Sequence, residues 1–302
     1  MNSPSPKLDN IPDLALREVL NNLNVNDQKA LLCTSRTLIQ IIKPLNQKLY
    51  NKIHLRTSWN WADILTTHQS GRYQFTTTES GYPEDPEEAR IVMISKVIAE
   101  LNNIIKPNTK FKNLFMKTEG EEMSSRLYDA ITDIAKGKSV MHVEKLTLVS
   151  YNPLKYWQLL SVITPGVLHT IEIDIKTEEI NQQESRKALL VHLPNLKKLR
   201  LKIFPPSLTI MDVIHVPEVE IDVNDITPET MTKYKEMISK NPHFKYHSFE
   251  CRIINKETIM TALMPYEETP VDNDRRRTYC FKCSDEGKIN FKFRAGLEFK
   301  KM

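Results

Sequence analysis

Glycine is scarce: the 302 residues hold only seven. None falls in a G-x-G-x-x-G run, a phosphate loop or a G-x-S-x-G elbow, so the chain offers no phosphate cradle and no nucleophile elbow. Cysteine is scarce too. Cys33, Cys251, Cys280 and Cys283 are too few for a disulfide framework and point to a reducing compartment. No stretch approaches 18 consecutive apolar residues, so no membrane span is expected. Met1 to Asn10 is polar and reads as no signal peptide. These absences together predict an intracellular protein of the cytoplasm or nucleus. The net charge of +4 does not point to nucleic acid by itself.

What the chain has is enough apolar residue, 40%, to build a core. Leu16, Val19, Leu20 and Leu23 recur at i, i+3, i+4, i+7, one stripe on a helix entered after Pro12. Asn26 and Asp27 offer a cap for a second helix, whose apolar residues are Ala30, Leu31, Thr34, Leu38, Ile41 and Ile42. Pro44 then marks a break before a third piece with Leu45, Leu49 and Ile53. Three short helices in this span bury too little surface to stand alone, so they need the rest of the chain or a partner.

The series Ile11-Pro12, Leu16, Val19-Leu20, Leu23, Asp27, then Thr34-Ser35-Arg36 and Leu38 resembles an F-box. That resemblance implies a three-helix module docking on a Skp-type linker protein, and through it a cullin, in an SCF ubiquitin ligase. Carried over residue by residue, the linker-binding set is Ile11, Pro12, Leu16, Val19, Leu20, Leu23, Leu31, Ser35 and Arg36. Ile11 and Thr34 stand where the family usually has Leu and Val.

Beyond residue 55 the pattern predicts a short aromatic helix or turn over 59–65 and a polar surface loop over 66–88, with Tyr73 and Phe75 as a short strand. Two amphipathic helices follow, Ile91 to Ile105 and Met123 to Ile134, the second ended by Gly137.

A repeat then sets in. The pattern apolar-x-x-apolar-x-apolar occurs at Phe111/Leu114/Met116, Val143/Leu146/Leu148, Leu168/Ile171/Ile173, Leu196/Leu199/Leu201 and Val216/Val219/Ile221, and more weakly at Phe244/His247/Phe249. Alternation within each copy means a strand with one buried face. Helical patterns fill the gaps at 154–163, 178–193 and 227–240, the last opened by Thr227-Pro228 as N-cap and first helical residue. Strand plus helix at intervals of 20 to 32 residues predicts an irregular leucine-rich-repeat-like solenoid or open curved sheet. Three strand-like pieces at 278–283, 288–293 and 297–301, the first two joined by a turn at Asp285-Glu286-Gly287, predict a β-hairpin cap.

The run Leu159-Leu-Ser-Val-Ile-Thr-Pro165-Gly166-Val-Leu168-His-Thr-Ile171-Glu172-Ile173, with Val143-Glu-Lys-Leu-Thr-Leu148 before it, resembles the FTH domain found behind F-boxes in a family expanded in nematodes. The resemblance implies a substrate-presenting domain.

Catalytic and metal chemistry finds little support. Cys280 and Cys283 would point to opposite faces of one strand, which favours packed thiols over a shared metal. His192, His215, His243 and His247 lie near strands with no nucleophile pattern beside them and read as structural. Arg275-Arg276-Arg277 lies in an acid-flanked loop and reads as a solvated turn.

One feature stands out on the repeats. Outward positions carry blocks of one sign: Glu172 and Asp174, then Lys198, Arg200 and Lys202, then Glu218, Glu220 and Asp222. Glu172, Asp174, Lys198, Arg200, Lys202 and Glu220 are therefore the substrate-binding candidates, and a self-satisfied charge ladder is the competing reading.

The expected architecture is α+β/α/β: an F-box over 1–58, then an FTH-like, leucine-rich-repeat-like recognition domain over 59–302. The expected function is a non-catalytic substrate receptor of an SCF-type ligase, with no cofactor, metal, nucleic acid or membrane, binding a Skp-type linker and an unidentified substrate protein. The alternative is a stand-alone leucine-rich-repeat-like interaction scaffold.

Overall fold

An apolar residue at every second position, flanked by polar ones, can satisfy both water and core only as a strand with one face covered. Thirteen such strands form one mixed sheet in the computed structural model. It describes residues 49–58, 61–68, 71–78, 86–105, 109–119, 121–138, 141–150, 156–175, 181–203, 206–253, 255–269, 278–282, 287–293 and 296–302. The described elements are β1 (Leu49–Thr57), β2 (Trp61–His68), β3 (Gly71–Thr78), α1 (Pro86–Ile104), β4 (Lys110–Thr118), α2 (Glu121–Lys138), β5 (His142–Ser150), α3 (Tyr156–Ser161) and β6 (Thr170–Ile175). There follow α4 (Gln182–Leu190), β7 (Lys198–Ile203), β8 (Glu218–Asp225), α5 (Pro228–Lys240), β9 (Tyr246–Ile253), α6 (Lys256–Ala262), β10 (Glu267–Thr269), β11 (Thr278–Lys282), β12 (Lys288–Phe293) and β13 (Gly296–Lys301).

The strand order is β3-β2-β1-β4-β5-β6-β7-β8-β9-β13-β12-β11-β10. Strands β1 and β4 to β9 run parallel, and antiparallel strands extend the sheet at both ends. From β4 to β9 each new strand lies beside the last, so right-handed crossovers send every intervening helix to the same face. The core sits there. Ile53, Leu114, Leu146, Ile171, Leu199 and Val219 line up across neighbouring strands and are all buried. The order never reverses within this parallel stretch. It therefore lacks the switch point at which open α/β sheets usually hold ligands.

All six repeat copies are strands, β4 to β9, and Thr227 caps α5 by accepting a hydrogen bond from the Thr230 amide. Pro165-Gly166 forms a tight turn before β6. The Val167 amide donates to the Thr164 carbonyl, and Gly166 sits at φ 79°, which fits the third position of a type II turn and suits glycine.

Several sequence expectations are corrected. From Leu49 onward the third helical piece is strand β1, because Ile53, Leu55 and Thr57 are buried on one face while Lys52 and Arg56 point away. The segment read as an aromatic helix or turn is instead β2, whose Ala62, Ile64 and Thr66 alternate into the core, while the short strand expected at Tyr73 and Phe75 is there as the longer β3. Gly137 lies inside α2, which runs to Lys138. The three tail strands expected at 278–283, 288–293 and 297–301 are β11, β12 and β13; β10 adds a fourth antiparallel strand to them, and β13 is hydrogen-bonded to β9. Helix α6 and strand β10 had no forecast. The first two F-box helices lie outside the described residues.

Candidate interaction face

Because every helix covers one face between β4 and β9, the other face presents the alternate residues of six parallel strands, of which β5 to β9 carry the charged rows. The register sets them in rows. Lys145, Thr170, Lys198, Glu218 and Tyr246 form one row; Thr147, Glu172, Arg200, Glu220 and Ser248 form the next. Asp174 pairs with Lys202, and Asp222 with Glu250, in the row nearest the carboxyl ends.

The structure brings all six substrate-binding candidates onto this face, and most of their charge is spent within it. Glu172 lies 3.0 Å from Lys145 Nζ and 3.2 Å from Lys198 Nζ. Burial pushes its carboxyl up, but the two lysines outweigh that and hold it below the ordinary value. Glu220 takes Arg200 at 3.3 Å and Lys202 at 3.4 Å, and Glu218 takes Lys245 at 3.2 Å. Each contact is worth about 0.2–1 kcal/mol at such exposure. The ladder reading thus describes Glu172, Lys198, Arg200, Lys202 and Glu220, and Asp174 stands apart with no ion pair among the described residues. Replacing Lys198 and Arg200 together by Glu should place like charges beside Glu172 and Glu220 and lower the melting temperature by a few degrees. A melting temperature equal to wild type would show that the ladder contributes nothing.

Two residues at the carboxyl-end row were under-read in the sequence. Asp222 was seen only as one of a block. Its carboxyl is pushed up to about 6 by burial and by Glu250, Asp174 and Glu220, against the pull of Lys202. Glu250 was missed because the β9 copy of the repeat is weak; the usable signal was its place beside Phe249 in an alternating run.

The histidines near strands divide. His247 is fully buried, with Nε2 donating to the Val216 carbonyl at 2.6 Å. Its Nδ1 must then accept from the Tyr234 hydroxyl at 2.7 Å. Burial holds it down at about 4, so it is neutral and structural. His192 is buried with Nε2 3.0 Å from the Leu160 carbonyl, while His215 and His243 are exposed.

At the antiparallel end, a cleft of about 410 Å³ is lined by Lys235, Pro265, Tyr266, Glu267, Cys280, Phe281 and Lys288. Its polar groups are already engaged. Lys235 donates to the carbonyls of Leu263, Met264 and Pro265, and Lys288 faces Glu267 at 3.9 Å. The Cys280 thiol is buried 3.9 Å from Glu267 Oε2, and Cys283 lies outside the described residues. Among the described residues no helix is long and apolar enough to cross a membrane.

The expected linker-binding residues Ile11, Pro12, Leu16, Val19, Leu20, Leu23, Leu31, Ser35 and Arg36 all lie outside the described residues. No curated protein and no solved structure matches the chain. Two family models do: the F-box domain over residues 8–50 and the FTH domain over residues 125–266. The second covers β5 to β9, the strands that build the charged face. With an F-box ahead of the sheet and an FTH domain forming its charged half, the chain is an F-box protein with a C-terminal FTH domain.

Proposed function

We propose that this protein is a substrate-receptor subunit of an SCF-type cullin ubiquitin ligase. Its F-box would bind a Skp-type linker, and its sheet would hold a substrate protein. The F-box match over residues 8–50 carries this reading, since F-box domains in general serve that role. The receptor performs no chemistry. It raises the effective concentration of substrate lysines near a charged conjugating enzyme elsewhere in the complex.

In this reading the docking part lies within residues 1–58 and the recognition part within 59–302. Helix and strand alternate along the recognition part in the manner of an irregular leucine-rich-repeat-like solenoid. The chain works in the cytoplasm or nucleus, where the ligase acts.

The test uses the full chain and a purified Skp-type linker. Burying one leucine is worth roughly 1.5–3 kcal/mol. Pro12→Ala combined with Leu20→Ala should therefore weaken linker binding by about tenfold or more, with the melting transition of the sheet unchanged. Undiminished linker binding by this variant would refute the F-box role and leave the stand-alone interaction scaffold as the better reading.

A further inference from the structure

We infer that the open face of β1 receives an extended, acidic segment of a partner protein, whose carboxylates are taken by Lys52 and Arg56 while a polar side chain midway between them meets His54. The inference rests on the substrate-receptor reading above and specifies the chemistry of what the sheet would hold.

Beyond the charge ladder the same open face continues over β4, β1 and β2. By register Leu65, His54, Phe115 and Thr147 form its middle row, with Asp63, Arg56, Lys117 and Val149 in the row toward the carboxyl end of β1. Lys52 pairs with Thr67 in the row toward its amino end. Two cations of this region are spent on neighbours, Lys145 on Glu172 at 3.0 Å and Lys117 on Glu119 at 3.6 Å. Lys52 and Arg56 are exposed and have no ion pair among the described residues. Asp63, opposite Arg56, accepts from Gln74 Nε2 and from the Thr76 hydroxyl, both at 3.1 Å and both on β3, the strand away from Arg56.

His54 adds a second, independent observation. It lies on the open face yet is only 9% exposed, and its Nδ1 has no hydrogen-bond partner. The ring sits 4.7 Å from the Phe115 ring, which holds it in place between the two cations. Burial and the charges of Lys52 and Arg56 keep the imidazole down at about 4, against the pull of Asp63, so it is neutral. A buried polar atom without a partner is costly, and a hydroxyl or amide laid over the ring supplies one.

Lys52 and Arg56 stand two residues to either side of His54, about 6.6 Å each way at roughly 3.3 Å per residue. An extended segment along β1 repeats that spacing on one of its sides. Carboxylates four residues apart then meet the two cations, and the side chain midway falls on His54. Other anions fit less well. A nucleic-acid strand draws its affinity from many phosphate contacts, and a lipid surface acts through a cluster of basic residues. Here two free cations are bounded by Asp63 on the next strand and by Glu172 three strands away on the other side. Charge complementarity therefore selects a short acidic protein segment.

The experiment uses the full chain and a fluorescein-labelled peptide with the core Glu-Thr-Ser-Thr-Glu, set against a control with lysine in place of both glutamates. Anisotropy titrations at low salt should show binding of the acidic peptide and none of the basic one. Lys52→Gln combined with Arg56→Gln should weaken binding about tenfold, from two exposed charge pairs of modest individual worth. The melting temperature of that variant should stay at the wild-type value, since neither side chain is buried. Lys233→Gln with Lys240→Gln makes the same change of charge on α5, over the opposite face, and should alter affinity less than about twofold. His54→Phe keeps a ring against Phe115 and removes its nitrogens. It should weaken binding about threefold, with the melting temperature held or raised.

Wild-type affinity in the Lys52 and Arg56 variant or in His54→Phe, equal affinity for the two peptides, or an equal loss in the α5 variant overturns the inference. Tighter binding of a labelled oligothymidylate than of the acidic peptide does so too, and assigns the surface to nucleic acid. Linker binding measured on the same proteins separates the two readings. A wild type that takes the acidic peptide but no Skp-type linker keeps this surface and sinks the ligase role. One that binds the linker but not the acidic peptide does the reverse.

Discussion

Gly296→Ala is expected to be the most damaging single-methyl substitution in the described part of the chain. Gly296 opens β13 and lies opposite Glu250 in the antiparallel pairing with β9. A Cβ there would stand 1.9 Å from the Phe249 carbonyl oxygen and 2.8 Å from the Glu250 Cα. Both are backbone atoms of a strand fixed on its other side by β8, so β13 itself must move. The strand carries Leu297 and Phe299 into the core, where the Phe299 ring meets Tyr234 at 5.1 Å and Phe291 at 6.0 Å. Displacing it disturbs the aromatic cluster that joins the antiparallel end to α5. A cost of about 4 kcal/mol or more is expected, read as a fall in melting temperature of roughly 2–4 °C per kcal/mol. Limited proteolysis should then show new cuts between residues 278 and 302. A variant with a wild-type melting temperature would mean that β13 is not seated against β9 as described.

Leu199→Ala comes next. Leu199 lies at the middle of the parallel stretch, fully buried, with Ile171 and Val219 as its register partners on either side. Truncation leaves a cavity that flanking strands cannot close without breaking their own ladders, so about 2–5 kcal/mol should be lost. The same truncation at Leu190, exposed at the end of α4, should cost little. Urea unfolding of both variants checks the contrast. Similar midpoints for the two would show that Leu146, Ile171, Leu199 and Ile221 do not line one continuous core.

The parallel strands were legible because each shows period-two alternation, and in most of them a helical pattern of crossover length precedes the next copy; between β7 and β8 there is no helix. Val143/Leu146/Leu148 needs no knowledge of its neighbours to be read as a strand. The first three strands lacked that support. Leu45, Leu49 and Ile53 are spaced as a helix would space them, and only pairing with β4 makes Ile53, Leu55 and Thr57 the meaningful set. In β3, Arg72, Gln74 and Thr76 crowd the sequence with polar groups, and its strand character comes from pairing with β2. The charge blocks were visible in the sequence, but which acids end up unpaired was not. That depends on Lys202 reaching back to Glu220, a choice of side-chain geometry that alternation cannot reveal.

The F-box match ends at residue 50 and β1 begins at Leu49, so the chain passes from one to the other within two residues. Strand β1 enters the sheet between β2 and β4, six strands from β9, with Glu250 at the far end of the count. At about 4.8 Å per strand that is a separation of roughly 29 Å. The repeat is therefore also a ruler. Each helix-and-strand unit added or removed between β4 and β9 would move the acidic row by one strand width relative to the point where the sheet takes over from the F-box. A chain with one more unit would hold that row one notch farther out, with every individual contact on the face left as it was.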